Sequence, residues 1–348
     1  MTRAANGFLT RNPLLWRIVA IATLATALVV VFVRSASAAA AITATEVGTT
    51  SPGSGGNAFL QVIVNGIIFG LLLALASVGL SLIYGTTGLS NFAHGEQVTL
   101  GAAVAYVSVT QLHTPLWGAI VIAVAAGTAS GWLQDVVLWK QLRKRGVPNM
   151  QQMIVSIGLA LILVNFIQIW IGPDRLRLIQ STTRDHDLGL ISVSTPDIVS
   201  ICICVLALGA VGFFLMRTRL GRATRAVSDN PALASATGIS VNRVIRIVWM
   251  MAGALAALAG PLLALRYDAF NYQLGADILL LMFAAVTLGG LGHPFGALVG
   301  ALVIGVIAQL TEAYAPTPDL KYAVVLAILI ITLLVRPQGI LGRKERVG

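Results

Sequence analysis

Ten apolar runs, each near the length that a helix needs to cross a bilayer, follow one another along the chain. They lie near 16–33, 58–83, 97–113, 116–139, 150–171, 197–216, 245–265, 276–290, 296–314 and 321–335. A crossing helix needs about 20 residues, and backbone inside hydrocarbon must satisfy its own hydrogen bonds. The sequence therefore predicts an all-α polytopic membrane protein with about 8–10 transmembrane helices and Gly-rich broken segments.

The composition agrees with this class. Only 10% of the 348 residues are charged, against about 25% in soluble domains. The net charge of +10 is not spread over a surface, because 17 of the 23 Lys and Arg residues fall in four blocks at 3–17, 140–145, 217–246 and 336–346. Basic clusters in short loops between apolar spans mark the cytoplasmic side. They predict anionic membrane lipid or a soluble protein as neighbour, and no nucleic acid.

The number of crossings agrees with these blocks. If the chain starts inside, ten crossings return every basic block to the same side. The first crossing has an alternative interpretation, since a basic start, the run at 16–33 and the small residues at 35–39 fit a cleaved signal peptide. Arg34 and the length of the run favour a retained helix. We predict an N-terminal segment at 1–57 that ends in a flexible outside linker, a membrane domain at 58–342 and a cytoplasmic tail at 343–348.

A Gly-rich segment at 85–96 interrupts two apolar runs and carries the polar residues Asn91, His94 and Glu96 beside Gly95. A helix that restarts near His94 leaves its first amide N–H groups unpaired at the positive end of its dipole, which suits a carboxylate. Asn91 either caps that helix or binds a substrate. His94 and Glu96 either line a translocation path, pair with each other, or pair with a neighbouring helix. A structural loop at the cytoplasmic edge and a proton relay are the alternatives.

A second Gly-rich break lies at 288–296 and includes Gly290 and Gly292. We expect His293 and Pro294 to end a helix there. The glycines either allow close helix packing or line the path opposite Asn91. The segments 89–101 and 291–300 also resemble each other weakly, which raises the possibility of an internal repeat.

The basic loop at 217–246 contains a predicted short helix at 230–238. Asp229 or Asn230 serves as N-cap and Pro231 fits the first turn, while Gly238 fits the position just past the end. Such a helix on the cytoplasmic face has little to bury against unless a partner covers it. The alternative is an ordinary loop that faces anionic lipid.

No set of residues for soluble catalysis is evident. The four histidines are scattered, Cys202 and Cys204 lack metal-site spacing, and the chain has no P-loop Gly-x-x-x-x-Gly-Lys pattern. We therefore expect no enzyme activity and no cofactor in this chain. If transport is driven by ATP, the ATP is bound by a partner subunit.

Three of these segments carry a resemblance to a known family. The run Gly-Leu-Ser-Asn-Phe-Ala-His-Gly-Glu-Gln at 88–97, the Leu-Gly-Ala that follows at 100–102, and Arg-Pro-x-Gly-x-Leu-Gly at 336–342 resemble the LivH/LivM family. Its members are permease subunits of branched-chain amino-acid ABC transporters. The loop at 217–246 is similar to the cytoplasmic coupling loop of ABC importers, with the small residues Ala234 and Ala236 before Gly238.

The resemblance implies a bacterial inner-membrane importer built from two homologous or identical permeases, cytoplasmic ATP-binding subunits and an extracytoplasmic substrate-binding protein. It implies a translocation path past Asn91, His94, Gly95, Glu96, Gly290 and Gly292, and coupling to the ATPase through Asp229, Asn230, Ala234, Ala236 and Gly238. The alternative from another class is an autonomous secondary transporter or channel for a small polar solute such as urea or an amide.

Overall fold

The structure, a computed structural model, describes residues 56–178, 185–187, 192–336 and 338–342. The predicted first crossing and cleavage site, most of the predicted N-terminal segment and the tail at 343–348 lie outside these residues. Within them the chain forms twelve α-helices, one π-helical turn and one pair of short strands. The helices are α1 Gly56–Thr87, α2 His94–Thr110, α3 Leu116–Gln134, α4 Lys140–Lys144, α5 Asn149–Ile171, α6 Thr195–Arg217, α7 Arg219–Asp229, α8 Pro231–Ala236, α9 Val241–Arg266, α10 Leu274–Gly289, α11 Pro294–Tyr314 and α12 Leu320–Val335.

The helix lengths confirm an all-α polytopic membrane protein. In the described ranges, six helical segments are long and apolar enough to span a bilayer. They are most of α1, the continuous run Leu116–Lys144 that joins α3 to α4, and the helices α5, α6, α9 and α11. Two shorter apolar helices, α10 and α12, have 16 residues each, or about 24 Å of length. The strands β1 Asp185–Asp187 and β2 Ser192–Ser194 pair antiparallel, with His186 opposite Val193.

The ends of the helices are held by two separate sets of polar contacts. At one end of the bundle Gln61 of α1 bonds to the backbone of Ser192, and Arg266 at the end of α9 lies 2.8 Å from Asp197 of α6. We call this the outer face. At the other end, where α6 ends and α9 begins, Ser228 of α7 donates a hydrogen bond to the carbonyl of Gly85. We call this the basic face, because it carries the Lys and Arg residues of the loops at 140–145 and 217–246.

Glycines bring two pairs of helices into backbone contact. A Cβ atom on Gly127 of α3 or on Gly253 of α9 would collide with the backbone of the other helix. The same holds for Gly70 of α1 and Gly305 of α11. Small residues at such crossings allow the close approach that drives helix association in membranes. Each pair joins a helix from the first half of the chain to a helix from the second half, so the two halves pack against each other.

A buried charge fixes α3 to α9 at the basic face. The π-helical turn Asp135–Trp139 continues α3 and holds Asp135 fully buried. Its carboxylate lies 2.6 Å from Arg143 Nη2 and 3.6 Å from Arg246 Nε. Beside it the rings of Trp139 and Trp249 stack with centroids 5.2 Å apart. A buried carboxylate is costly unless it is paired, so the arginines hold this end of the two helices together.

Candidate functional site

The first Gly-rich segment brings the chain back into the bundle. Helix α1 ends at Thr87, Gly88 adopts a positive φ of 68°, and α2 begins at His94. The Oδ1 atom of Asn91 accepts a hydrogen bond from the Ala93 N–H, 3.2 Å away, and the Asn91 carbonyl accepts one from the His94 N–H. Asn91 is fully buried, and the nitrogen of its side-chain amide has no hydrogen-bond partner. The predicted helix start near His94 is therefore correct, and Asn91 orders the turn that precedes it.

The position of His94 gives the depth of this turn. Its Nε2 atom lies 3.0 Å from the carbonyl oxygen of Ala76, which lies in the middle of α1, well before the end of that helix at Thr87. The ring thus pairs with a neighbouring helix, one of the expected alternatives, and not with Glu96. Helix α2 begins inside the bundle rather than at its edge.

A second turn of the same geometry precedes α10. Here the Oδ1 atom of Asn271 accepts from the Gln273 N–H at 3.1 Å, and its carbonyl accepts from the Leu274 N–H at 3.2 Å. The two turns, at 91–95 and at 271–275, share one pattern: Asn, an aromatic residue, two residues that differ between the turns, and Gly. The weak repeat expected at 291–300 is thus not the structural match to the first turn. The match is 271–275, and it enters from the opposite face of the bundle.

The starts of α2 and α10 meet. A Cβ atom on Gly95 or on Gly275 would collide with the backbone of the other residue, and the Gly275 N–H donates to Thr99 Oγ1 at 2.8 Å. Aromatic rings lock each turn to the helix of the other half, with Phe92 against Phe283 of α10 at 4.9 Å and Phe270 against Tyr106 of α2 at 6.2 Å. Two helix N-termini, each the positive end of a helix dipole, therefore lie side by side within the bundle.

Two carboxylates accompany these helix starts. Glu96 is buried, and its Oε2 accepts a long hydrogen bond of 3.4 Å from Thr99. Asp277 lies in the first turn of α10 and is exposed. Closer to the outer face, Lys321 of α12 forms an ion pair of 3.1 Å with Glu312 of α11. Both helix starts therefore carry a carboxylate in their first turn.

The second Gly-rich break has a different place. Gly290 and Gly292 have positive φ angles of 114° and 77°. Gly290 lies against Gly339 and Gly342, which follow α12. Gly292 lies against Gly85 near the end of α1. Asn91 is not among the nearest neighbours of either glycine. These are positions at the basic face.

The expectation that His293 and Pro294 end a helix is wrong. Helix α10 already ends at Gly289, whereas Pro294 opens α11 with His293 as its N-cap residue. The reason is that proline lacks an N–H, which the first helical position does not need, and its fixed φ suits that position.

Residues 62–333 match the family described as branched-chain amino acid transport system / permease component. The chain belongs to this permease family. The permease is 33% identical over 304 residues to the high-affinity branched-chain amino acid transport system permease protein LivH of Escherichia coli (strain K12), with 82% of this chain and 96% of that protein covered. It is 31% identical over 302 residues to the corresponding protein BraD of Pseudomonas aeruginosa, with 82% and 97% covered.

More distant relatives handle another class of solute. The permease is 28% identical over 241 residues to the ribose import permease protein RbsC of Escherichia coli (strain K12), with 67% of this chain and 72% of that protein covered. No solved structure matches the permease. Its family members are transport subunits, so the chain is a multi-pass membrane permease and not an enzyme. In the described ranges no group of three or more His, Cys, Asp or Glu is placed to hold a metal ion.

The predicted short helix of the basic loop is α8, and its caps are those expected. Asn230 Oδ1 accepts from the Leu233 N–H at 2.9 Å, Pro231 occupies the first turn, and Gly238 has a φ of 87° just past the end. Asp229 is not the cap, because it is the last residue of α7.

The outward surface of α8 differs from the expectation. Ala234 is only 4% exposed and belongs to the core of the permease, whereas Leu233 is 63% exposed and Ala236 is exposed as well. Ala234 is therefore not available for a partner, and sequence analysis overlooked Leu233. Leu233 is the one large apolar residue in the segment 230–238, whose other residues are small or polar, and this pattern pointed to it.

A cavity of about 530 Å³ opens beside α7 at the basic face. Helix α7 forms one wall, with its buried side (Gly221, Thr224 and Val227) packed inward. The end of α1, the end of α6 and the break after α10 form the others. The lining residues are Leu82, Gly85, Thr86, Leu215, Met216, Arg222, Thr224, Arg225, Ala226, Ser228, Asp229, Gly292, His293, Pro294 and Phe295.

Proposed function

We propose that the permease forms the translocation path for branched-chain, hydrophobic amino acids in an ATP-driven ABC importer. The observation that carries this proposal is the meeting of two broken helices, α2 and α10, inside the bundle at Gly95 and Gly275. Transporters commonly place their substrate site where such half-helices meet. The residues 58–342 form the membrane domain that holds the path.

The chemistry of the meeting point suits an amino acid. The substrate carboxylate would be stabilised by the amide N–H groups at the start of α2 and by the amide nitrogen of Asn91, which has no partner in the described structure. Glu96 and Asp277 supply negative charge for the substrate ammonium group. His94 and Gly95 shape the start of α2, and Gly290 and Gly292 shape the exit at the basic face. The aliphatic side chain would travel along an apolar bundle.

Energy has to come from another polypeptide, because the sequence lacks a P-loop. Helix α8 supports a coupling role, since its exposed Leu233 and Ala236 protrude from the basic face on a short helix that Asn230 and Gly238 fix at both ends. We propose that a cytoplasmic ATP-binding subunit seats on this surface, and that Asp229 and Ala234 hold the helix to α7 and to the core. ATP is bound by that subunit and not by the permease.

The remaining partners follow from the exposed helices and from the relatives. Helices α5 and α6 present large apolar side chains outward, among them Leu161, Phe166 and Leu206. We propose that a second permease, homologous or identical, covers part of this surface and that lipid covers the rest. An extracytoplasmic substrate-binding protein delivers the amino acid to the outer face. The bacterial relatives support a place in the inner membrane.

Uptake by proteoliposomes tests this proposal. The permease is purified with the subunits that accompany it, reconstituted, and supplied with the binding protein and radiolabelled leucine. We expect uptake only with ATP on the side of the basic face, and leucine, isoleucine and valine should compete. Uptake that needs no ATP and follows an ion gradient would instead support the autonomous transporter or channel for a small polar solute.

A further inference from the structure

We propose that the cavity beside α7 binds the headgroup of an anionic phospholipid. This inference does not depend on the substrate that the permease carries. The cavity holds about 530 Å³ and lies at the basic face, where the positive-inside pattern places the cytoplasmic leaflet. Anionic lipids are concentrated in that leaflet, and basic pockets between transmembrane helices on this side bind their headgroups.

The charges of the lining favour an anion. Arg222 and Arg225 stand three residues apart on α7, a spacing that puts both side chains on one side of the helix. Both line the cavity and are exposed, and in the described part of the chain neither forms an ion pair. His293 faces them from the break after α10, and among the described residues of the lining Asp229 alone is acidic. The two guanidinium groups therefore outnumber the single carboxylate.

An apolar surface continues from this cavity along the membrane span. Phe295 is 49% exposed, and its ring stands 3.5 Å from where a side chain on Gly212 of α6 would begin. Met216 and Phe213 of α6 are 60% and 66% exposed beside it. A single molecule that satisfies both the arginines and this surface carries a charged head and an acyl chain. The combination matches a phospholipid better than free phosphate.

The position of this apolar surface favours a lipid over the ATP-binding subunit as the occupant of the cavity. Phe213 lies within the membrane-spanning helix α6, where a cytoplasmic protein does not reach. The wall formed by α7 needs no partner protein to hold it in place, because Ser228 Oγ donates a 2.6 Å hydrogen bond to the carbonyl of Gly85. A lipid bound in the cavity would contact α7, the helix that leads directly into α8.

Native mass spectrometry of the full-length permease tests the site, with dioleoyl phosphatidylglycerol and dioleoyl phosphatidylcholine offered at equal concentration. We expect retention of phosphatidylglycerol in preference to phosphatidylcholine. The double variant Arg222→Gln/Arg225→Gln should weaken phosphatidylglycerol binding roughly thirty-fold, because each basic residue near an anionic headgroup contributes on the order of five-fold in affinity. The control Arg219→Gln/Arg243→Gln removes the same charge from exposed positions outside the cavity and should bind as the unchanged protein does.

Further arms identify the occupant. Excess inorganic phosphate should not displace the lipid, and displacement would assign the site to a free anion and overturn the proposal. Equal losses in the two double variants would show that general charge, and not the cavity, attracts the lipid. If Arg222→Gln/Arg225→Gln retains phosphatidylglycerol but loses the ATP-binding subunit in a pull-down, the cavity belongs to that protein and the lipid site is refuted.

Discussion

Gly95 of α2 and Gly275 of α10 pack backbone against backbone at the point where the two helices begin. Each glycine follows an asparagine whose side chain orders the preceding turn. The contact allows two helices that enter from opposite faces to start side by side inside the bundle. It has room for no side chain on either residue.

Substitution of Gly95 tests this packing. We expect Gly95→Val to lower the midpoint of thermal unfolding in detergent, because overpacking a tight contact costs typically about 1–3 kcal/mol. Gly158→Val on α5 is the control, since a Cβ atom there meets nothing within 4 Å. Equal midpoints for Gly95→Val and the control would mean that α2 and α10 do not approach as described.

The surface of α8 predicts which residue contacts the ATP-binding subunit. We expect Leu233→Asp to weaken capture of that subunit about ten-fold or more in a detergent pull-down, since a buried apolar anchor at an interface contributes roughly 2 kcal/mol. Leu112→Asp is the matched control, because Leu112 is 62% exposed at the end of α2, near the outer face. Normal capture by Leu233→Asp would remove α8 from the coupling interface.

Gly238 predicts a conformational requirement at the end of α8. Its φ of 87° costs a residue with a side chain about 1–2 kcal/mol, and asparagine tolerates this region better than a β-branched residue does. We expect Gly238→Val to reduce ATP-dependent uptake strongly and Gly238→Asn to reduce it mildly. The space around Gly238 is open, so a clash is not the cause. Equal activity in both variants would show that this backbone conformation is unimportant.

Accessibility labelling tests which face is cytoplasmic. In a chain with Cys202→Ser and Cys204→Ser, a cysteine replacing Lys144 at the basic face should resist an impermeant thiol reagent in intact cells. A cysteine replacing Thr317, between α11 and α12 at the outer face, should react. Both positions are exposed, and Lys144 lies outside the cavity beside α7, so burial does not explain a difference. Labelling at position 144 in intact cells would invert the orientation.

The sequence predicted well those features that hydrocarbon imposes. Apolar runs became helices because no other backbone satisfies its hydrogen bonds there, and the glycines before His94 marked a broken helix. The second helix start was not predicted, since the turn at Asn271 has only one glycine, Gly275, and lies in a loop that looks ordinary. Ala234 was predicted to contact a partner, but it packs against the core of the permease. A small residue suits a tight contact within the chain as well as a tight contact with a partner. The sequence does not distinguish these two roles, whereas the packing of α8 does.

Uptake by variants of Asn91 tests the path most directly. Asn91→Leu removes both the side-chain oxygen that accepts from the Ala93 N–H and the unpartnered side-chain nitrogen. Asn91→Asp keeps an oxygen for the Ala93 N–H and replaces the donor nitrogen by a carboxylate oxygen. Asn165→Leu is the matched control, because it makes the same substitution on α5, where the asparagine side chain is exposed. Leucine uptake and ATP hydrolysis are measured together in proteoliposomes. We predict that both Asn91 variants assemble and hydrolyse ATP but do not accumulate leucine, while Asn165→Leu transports normally. Leucine uptake at the normal rate by Asn91→Leu would contradict a path at the meeting point of α2 and α10.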